Sequence, residues 1–504
     1  MLLHHMVIER AKKLKDKPAI IDKALDKTVS YGRLLIASLL LAKRFKKYKG
    51  HFLGIMLPNT AGCSIAVIAT LMSGKIPVMI NYSSGAESNT RYAQKKCSFK
   101  TVITSKKLLE KIECPTVEGM VFLEDTMESL SGIEKIKAAV QSKLPVKLLK
   151  KLVADGDIND DAVILFTSGS EKDPKAVELT HKNIGSNVTA CAQTMQINDD
   201  DIFLSILPLF HVFGQTATFW LPLFCGVTAV TYPSPLEYKT VVDIIREEKT
   251  TLLIGTPVFY MGYLRQAKPG DFKSARLAVA GADKVPDWLR EKFIEDHDIV
   301  LYEGYGATET SPVVSLNTPE FCRPGSIGKP IPGVQVKIID MNTGKDLGPD
   351  QEGKIMVKGD LIMKGYYDDI EETSLRLVDG WYETGDMGLL DEDGFLWHRG
   401  RLKRFVKVGG EMVSLVMVEY YLEKILGDTS DCCVVEIPDP KKGSRIIAVL
   451  TKQISHKELV NKLHEYLPPI AMPKETVFMK DLPKMPSGKI DFRTTTELVI
   501  DQID

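Results

Sequence analysis

Short runs rich in β-branched and apolar residues recur along the first 300 residues, and helical patterns fill the gaps. "KPAII", "HFLGIML", "KIPVMI", "KTVIT", "DAVILFT", "DIFLSIL", "VTAVTY", "TLLIG", "ARLAVAG" and "IVLYEGYG" read as strands, and "YGRLLIASLLLAKRFKK" reads as a helix. Such alternation constrains the fold more than any other feature, because parallel strands need a helical crossover between them. It predicts an α/β chain with two helix-covered sheets. After Gly325 the texture changes to short strands with glycine turns, such as "GKPIPGVQVKIID" and "EGKIMVKG", so a small β-rich region is expected at about 325–400. The last hundred residues return to mixed α and β, with "VSLVMVEYYLEKIL" as an amphipathic helix. They read as a small C-terminal α+β lobe joined near Arg401–Lys403. The expected division is therefore 1–402 and 403–504. A chain of 504 residues is too long for one core, in keeping with several domains.

Net charge is -1, so no whole-protein field draws nucleic acid. The eight cysteines form no C-x-x-C pair and no zinc spacing, and they read as reduced thiols of a cytoplasmic protein. The apolar run at the N-terminus is too short for a signal peptide. Between Asp201 and Glu237 no charged residue occurs, which raises a membrane span. Pro208, Pro222, Pro233, Pro235, Gly214 and Gly226 break that stretch, and strand, loop, buried helix and strand fit it better. The segment "IEKIKAAVQSKLPVKLLKKLVADG" is basic and amphipathic. It suits either peripheral contact with an anionic membrane surface or a solvated helix pair broken at Pro145, and the second is the commoner use of such a pattern.

The chemistry begins at "ILFTSGSEKDPKAVELTHKN". A strand ending in Thr167-Ser168-Gly169-Ser170, then a turn, then Lys175, lets hydroxyls, backbone N–H groups and one ammonium wrap a phosphate chain. It is not a Walker A loop, whose spacing is absent. "EGYGATET" follows a later strand. Its glycines, Gly304 and Gly306, permit close backbone approach to a flat ligand, and Thr308 and Glu309 offer a hydroxyl and a carboxylate for phosphate and Mg²⁺. "WYETGD" places Asp386 after a turn, where a carboxylate can grip two ribose hydroxyls. "HRGRLKRFVKVGGEMVSL" supplies Arg401, Lys403 and Lys407, and "PKMPSGKIDFR" presents Lys489 on a Gly-Ser turn. Each alone reads equally well as a turn or a solvated charge; together, in this order, they point to a nucleotide.

These motifs, with "LPLFHVFG", "YPSPLEY" and "GWYETGD", resemble the adenylate-forming superfamily over essentially the whole chain. Within it, "GRLKRFVKVGGEMVSLVMVE" above all is similar to the synthetase half of the bifunctional acyl-acyl-carrier-protein synthetase/2-acylglycerophosphoethanolamine acyltransferase. No counterpart of the acyltransferase half occurs in these 504 residues. The resemblance implies ATP and Mg²⁺ as cofactors. A fatty-acid carboxylate would displace pyrophosphate, and the phosphopantetheine thiol of acyl carrier protein would attack the acyl-adenylate. Coenzyme A is the alternative acceptor. The hairpin loop would grip the β- and γ-phosphates. Lys489 would bridge the carboxylate and the α-phosphate, Glu309 would hold Mg²⁺ beside Thr308, and Asp386 and Arg401 would hold ribose. Gly281, Ala282, Glu303, Gly304 and Tyr305 would flank adenine. His211 would sit between acyl pocket and thiol tunnel, and Lys407, Gly409 and Gly410 would line the tunnel. The lobe would turn about a hinge at Lys403, presenting Lys489 for one half-reaction and the Lys407–Glu411 strand for the other.

Three positions depart from the family pattern. Glu171 and Lys172 stand where many members carry Thr-Gly, and Ala176 stands where they carry glycine. Ala176 is expected to remove left-handed freedom next to Lys175, and a catalytically weak nucleotide or acyl binder is the remote reading of these changes. In the uncharged stretch, Phe203, Leu207, Phe210, Phe213, Phe219, Trp220 and Leu223 suit an alkyl chain or a plain core, and no acid is present to pair a substrate ammonium. "RLKRFVK" with Lys441, Lys442 and Arg445 offers a basic landing surface for an acidic carrier protein.

Overall fold

In the computed structural model the described residues are all but 168–173, 409–410, 428–431, 440–442, 485–489 and 504, and at 407, 411, 412 and 443 the backbone alone is described. The chain divides into two compact units. The described residues of the first lie within 1–168, 174–335 and 357–382, and those of the second within 336–356 and 383–504.

The first unit carries the two expected sheets. One has nine strands, and its central strands Pro18–Asp22, Thr228–Thr231, Ile202–Ser205, Leu252–Gly255, Leu277–Ala280 and Leu301–Gly306 are parallel neighbours. The other has seven, with Ile76–Met79, Phe52–Ile55, Val102–Thr104 and Met120–Phe122 parallel and the pair Asp161–Phe166 and Ala176–Thr180 antiparallel near one edge. Both faces of such strands are covered, so the strands are continuous apolar runs: Leu252–Gly255 and Leu277–Ala280 are buried at every position. One large core lies between the nine-stranded sheet and helices Tyr238–Glu248, Pro257–Leu264 and Asp287–His297, around Tyr260, Tyr263, Phe272 and Phe293.

The uncharged stretch folds as expected in outline: strand Ile202–Ser205, a loop, a helical segment, then strand Thr228–Thr231. The helical segment differs in kind. Phe213–Trp220 is a π-helix that continues into α-helix Leu221–Cys225. Among the described residues no helix is long and apolar enough to cross a membrane.

In the second unit, strands Glu411–Ser414, Phe405–Val408, Gly443–Leu450, Cys432–Asp439 and Glu475–Phe478 form one sheet. Strand alternation sends Cys432 into the core beneath helices Leu415–Leu426 and His456–Leu463, while its neighbour Cys433 packs on the opposite face with Val499 of helix Phe492–Ile503. The β-rich region is a five-stranded sheet in which Trp381–Leu390 pairs with Leu396–Arg401.

Candidate active site

The stretch expected to hold phosphate connects the two strands of a β-hairpin. Strands Asp161–Phe166 and Ala176–Thr180 pair down to Phe166 opposite Ala176, and the next pair closes the neck. The Thr167 N–H donates to the Lys175 carbonyl at 3.0 Å, and the Lys175 N–H donates to the Thr167 hydroxyl at 3.1 Å. Ser168, Gly169, Ser170, Glu171 and Lys172 lie outside the described residues. Ala176 is a buried strand residue with ordinary backbone geometry. The expectation that it withholds a left-handed conformation is therefore corrected, since nothing at that position requires one.

Lys175 does not stand alone. Its ammonium pairs with Glu372 of helix Ile370–Arg376, and it lies 4.9 Å from the centroid of the Tyr366 ring. The Tyr366 hydroxyl donates to Glu309 Oε1 at 2.8 Å, and Tyr382 hydrogen-bonds Tyr366 from behind. Burial and the Glu309 carboxylate push the Tyr366 pKa up, so the phenol stays a neutral donor. Lys175, the largest influence on Glu372, holds that carboxylate below its usual range. One polar chain thus joins the hairpin cation to the Glu309 carboxylate. Neither Tyr366 nor Glu372 was legible as a site residue, because no motif marks them and they lie nearly 200 positions from Lys175 in the chain.

Glu309 sits in a single 3₁₀ turn, Thr308–Thr310, after strand Leu301–Gly306. The Thr310 hydroxyl accepts from the Ala307 N–H at 2.9 Å, and the Glu309 carbonyl accepts from the Met363 N–H at 2.8 Å, which fixes the turn. A carboxylate has about four acceptor positions, so the Tyr366 bond leaves capacity for a cation. Among the described residues no cluster of three or more His, Cys, Asp or Glu could hold a metal by itself. That suits Mg²⁺, which takes one or two carboxylates and fills its remaining positions with phosphate oxygens and water. The residues present fit this ion.

Glu303 behaves differently. It is 4% exposed, pairs with Arg290 at 2.6 Å and accepts from the Val285 N–H at 3.1 Å. Its carboxylate ties the strand to helix Asp287–His297. The two glycines also serve the chain itself: a Cβ on Gly306 would lie 1.9 Å from the Pro312 carbonyl oxygen, and one on Gly304 would lie 3.0 Å from Leu316. Gly281 backs onto the Phe213 ring, where a Cβ would lie 3.2 Å away, and Ala282 next to it is left-handed at φ 71. Phe213 opens the π-helix, so the acyl-side stretch touches the strand end expected to flank adenine. Tyr305 is half-buried on strand Leu301–Gly306.

His211 is half-buried, with its ring 4.5 Å from Phe210, which in turn meets Tyr82 edge-on at 4.9 Å. Asn59 ties this region down by donating to the carbonyls of Ser205 and Leu207 at 2.8 and 2.9 Å. Phe203, Trp220 and Leu223 are wholly buried and act as core.

In the second unit Asp386 is a strand residue, not one beyond a turn: it lies within Trp381–Leu390 opposite Arg401. Gly385 beside it takes φ 76, a local kink that hid the strand from the sequence. Asp386 is 2% exposed, with Arg401 Nε at 3.1 Å and His398 Nε2 at 3.6 Å. The two expected ribose ligands are therefore brought together. Lys407 lies on strand Phe405–Val408 opposite Met412; Gly409, Gly410 and Lys489 lie outside the described residues. Of the expected basic landing surface, Lys441 and Lys442 lie outside the described residues, and two of its arginines are paired. Arg404 pairs with Glu419 at 2.5 Å and stacks 3.9 Å above Phe492, and Arg445 pairs with Glu475 at 2.6 Å.

Residues 7–367 match the model of the AMP-binding enzyme family, and residues 426–489 match that of the AMP-binding enzyme C-terminal domain. The chain belongs to this family. Its adenylate-forming members use ATP with Mg²⁺. Among curated proteins it is similar to a long-chain-fatty-acid–CoA ligase of Bacillus subtilis, 30% identical over 97% of this chain and 93% of that one. It is likewise similar to the mitochondrial malonate–CoA ligase of Homo sapiens, 30% identical over 96% and 90%. Among solved structures, ATP-bound MatB from Rhodopseudomonas palustris shares the fold with a TM-score of 0.85 at 24% identity, over the full length of both chains. O-succinylbenzoate coenzyme A synthetase from Bacillus subtilis in complex with ATP and magnesium ion matches with a TM-score of 0.82 at 25% identity, over 98% of this chain and 99% of that one.

Proposed function

We propose that this enzyme activates a fatty acid with ATP, through an acyl-adenylate, and passes the acyl group to a phosphopantetheine thiol. The observation that carries the reading is the chain from Lys175 through Tyr366 to Glu309 at the neck of the hairpin. Two anions must meet in the first half-reaction, and a fixed ammonium beside a carboxylate able to hold Mg²⁺ supplies the screening they need. The role of Lys489 in bridging carboxylate and α-phosphate, the placement of His211 between the two pockets and the hinge at Lys403 rest on the motif resemblance.

A fatty acid fits the uncharged stretch best. Burying an alkyl chain contributes roughly 0.8 kcal/mol per CH₂, whereas a second carboxylate would call for a cation, and none lies between Asp201 and Glu237. Two acceptors are compatible with this chemistry. Coenzyme A is supported by the names of the relatives, and acyl carrier protein by the "GRLKRFVKVGGEMVSLVMVE" resemblance. A peripheral contact with the membrane by the lysine-rich helices completes the proposal.

The test is an acceptor competition with ATP, Mg²⁺ and palmitate, following AMP and thioester. Thioester on holo-acyl carrier protein alone assigns the carrier-protein reading, and thioester on coenzyme A alone makes this a fatty acyl-CoA ligase. AMP with neither overturns the acid assignment. Lys489→Ala should abolish adenylation, while Lys407→Ala should slow thioester formation more than adenylation; equal losses in both half-reactions would remove the alternation argument.

A further inference from the structure

Helix Gly132–Gln141 is amphipathic the wrong way round for a soluble surface helix. Its buried contact is a single small residue, Ala138, which packs on Leu40 and Leu130. Its large aliphatics point the other way: Ile133, Ile136 and Val140 are 79%, 67% and 60% exposed. Their spacing confines the three to an arc of about 60°, with Ala138 roughly opposite. The next helix, Val146–Leu152, also leaves large aliphatics outward. Leu149 is buried, while Leu148 and Leu152 are 46% and 50% exposed.

The same two helices are rich in cations. Lys135, Lys137, Lys143, Lys147 and Lys151 are exposed on the two helices and their connection, and Lys150 pairs with Glu9 at 2.6 Å. The one acid of the pair, Glu134, is taken up by Arg44 at 3.0 Å and by its own capping box with Ser131. The connection between the helices is fastened, since Lys12 Nζ donates to the carbonyls of Ser142 and Lys143 at 3.2 and 3.1 Å. A fastened support thus presents aliphatic side chains outward on a segment dense in exposed ammonium groups.

We propose that this two-helix face docks on an anionic lipid bilayer. Aliphatic side chains would enter the acyl boundary while the lysines reach the headgroup phosphates, their methylene stems lying on the apolar side. The composition favours lipid over protein. Protein interfaces concentrate Trp, Tyr and Arg and deplete Lys, whereas this face offers Ile, Val, Leu and Lys. The inference rests on the fatty-acid reading in one respect, that a bilayer is where a water-insoluble acid resides; the docking itself stands on the helices.

The experiment is co-sedimentation of the full chain with phosphatidylcholine vesicles, with and without phosphatidylglycerol, alongside ATP–pyrophosphate exchange on a soluble short-chain acid. Binding should appear with the anionic vesicles, weaken in high salt, and fall by about tenfold or more in Ile133→Asp/Ile136→Asp and in Lys135→Glu/Lys137→Glu. Exchange activity should be unchanged in both. Failure to bind anionic vesicles, or binding untouched by the substitutions, overturns the proposal. Loss of binding to holo-acyl carrier protein in the same variants, without vesicle binding, would make the face a protein site instead. Vesicle binding without any exchange would overturn the activity while leaving the docking in place.

Discussion

Glu303 and Glu309 lie in one motif, yet their surroundings separate them completely. Glu303 ends buried on a strand, neutralised by the Arg290 guanidinium. Glu309 ends half-buried on a 3₁₀ turn, where a neutral phenol donates to it. An acid matched by a cation has little left to offer a metal ion, and removing the cation leaves a buried charge. An acid held by a phenol keeps its charge for something else. The same residue type thus serves folding in one place and, on the proposed reading, chemistry six positions later, and the partner rather than the motif decides which.

Substitutions can break this contrast. The largest effect is expected from Arg290→Met, which strands the Glu303 charge and should lower folding stability by about 3–5 kcal/mol in a denaturant titration. Pairing it with Glu303→Leu should recover much of that loss; no recovery would mean that the ion pair is not what Arg290 contributes. Glu309→Gln should leave the denaturation midpoint nearly unchanged but slow adenylate formation by about 10²–10³-fold in pyrophosphate exchange. An unfolded Glu309→Gln would erase the distinction between the two acids.

Tyr366→Phe removes the bond that aims Glu309 and leaves that half-buried carboxylate short of a donor, which costs about 1 kcal/mol. It should raise the Mg²⁺ concentration needed for half-maximal exchange. An unaltered Mg²⁺ dependence would separate Glu309 from the metal. The smallest effect is expected from Glu372→Gln. It releases Lys175 from a partly exposed pair, so the KM for ATP should fall by a few-fold at most. The pH dependence follows from Glu372, whose pKa is lowered in the folded protein. The pair is intact above the usual carboxylate range and is lost as pH falls through that lowered value, so wild type and variant should converge in acid. A constant ratio across pH would exclude Glu372 as the competitor.

Much of the scaffold was legible because a strand covered on both faces must be apolar throughout, and runs such as "TLLIG" and "ARLAVAG" have that character. The hairpin loop and the Thr308–Glu309 turn were legible for a different reason: their residue types are contiguous. Strand Ala176–Thr180 was missed because Glu178 interrupts its apolar run, and Lys364 satisfies that acid from a distant segment. Trp381–Leu390 was missed because Gly385 reads as a turn. The Arg290–Glu303 ion pair and the contacts of Tyr366 and Glu372 went unread for one cause. Ion pairing and burial are settled between segments remote in the chain, and no local pattern encodes them.

The placement of the thiols has an experimental consequence. Cys63, Cys97 and Cys191 are sealed within the first unit, Cys432 and Cys433 within the second, and burial pushes the Cys63 and Cys191 pKa values up to about 12. In the folded protein these sulfurs are poor nucleophiles, and local opening is what makes them reactive. Pulsed alkylation read peptide by peptide would therefore time the opening of each unit with no label introduced. The adjacent pair Cys432 and Cys433, facing opposite sides of one sheet, would further tell which layer of the small lobe loosens first.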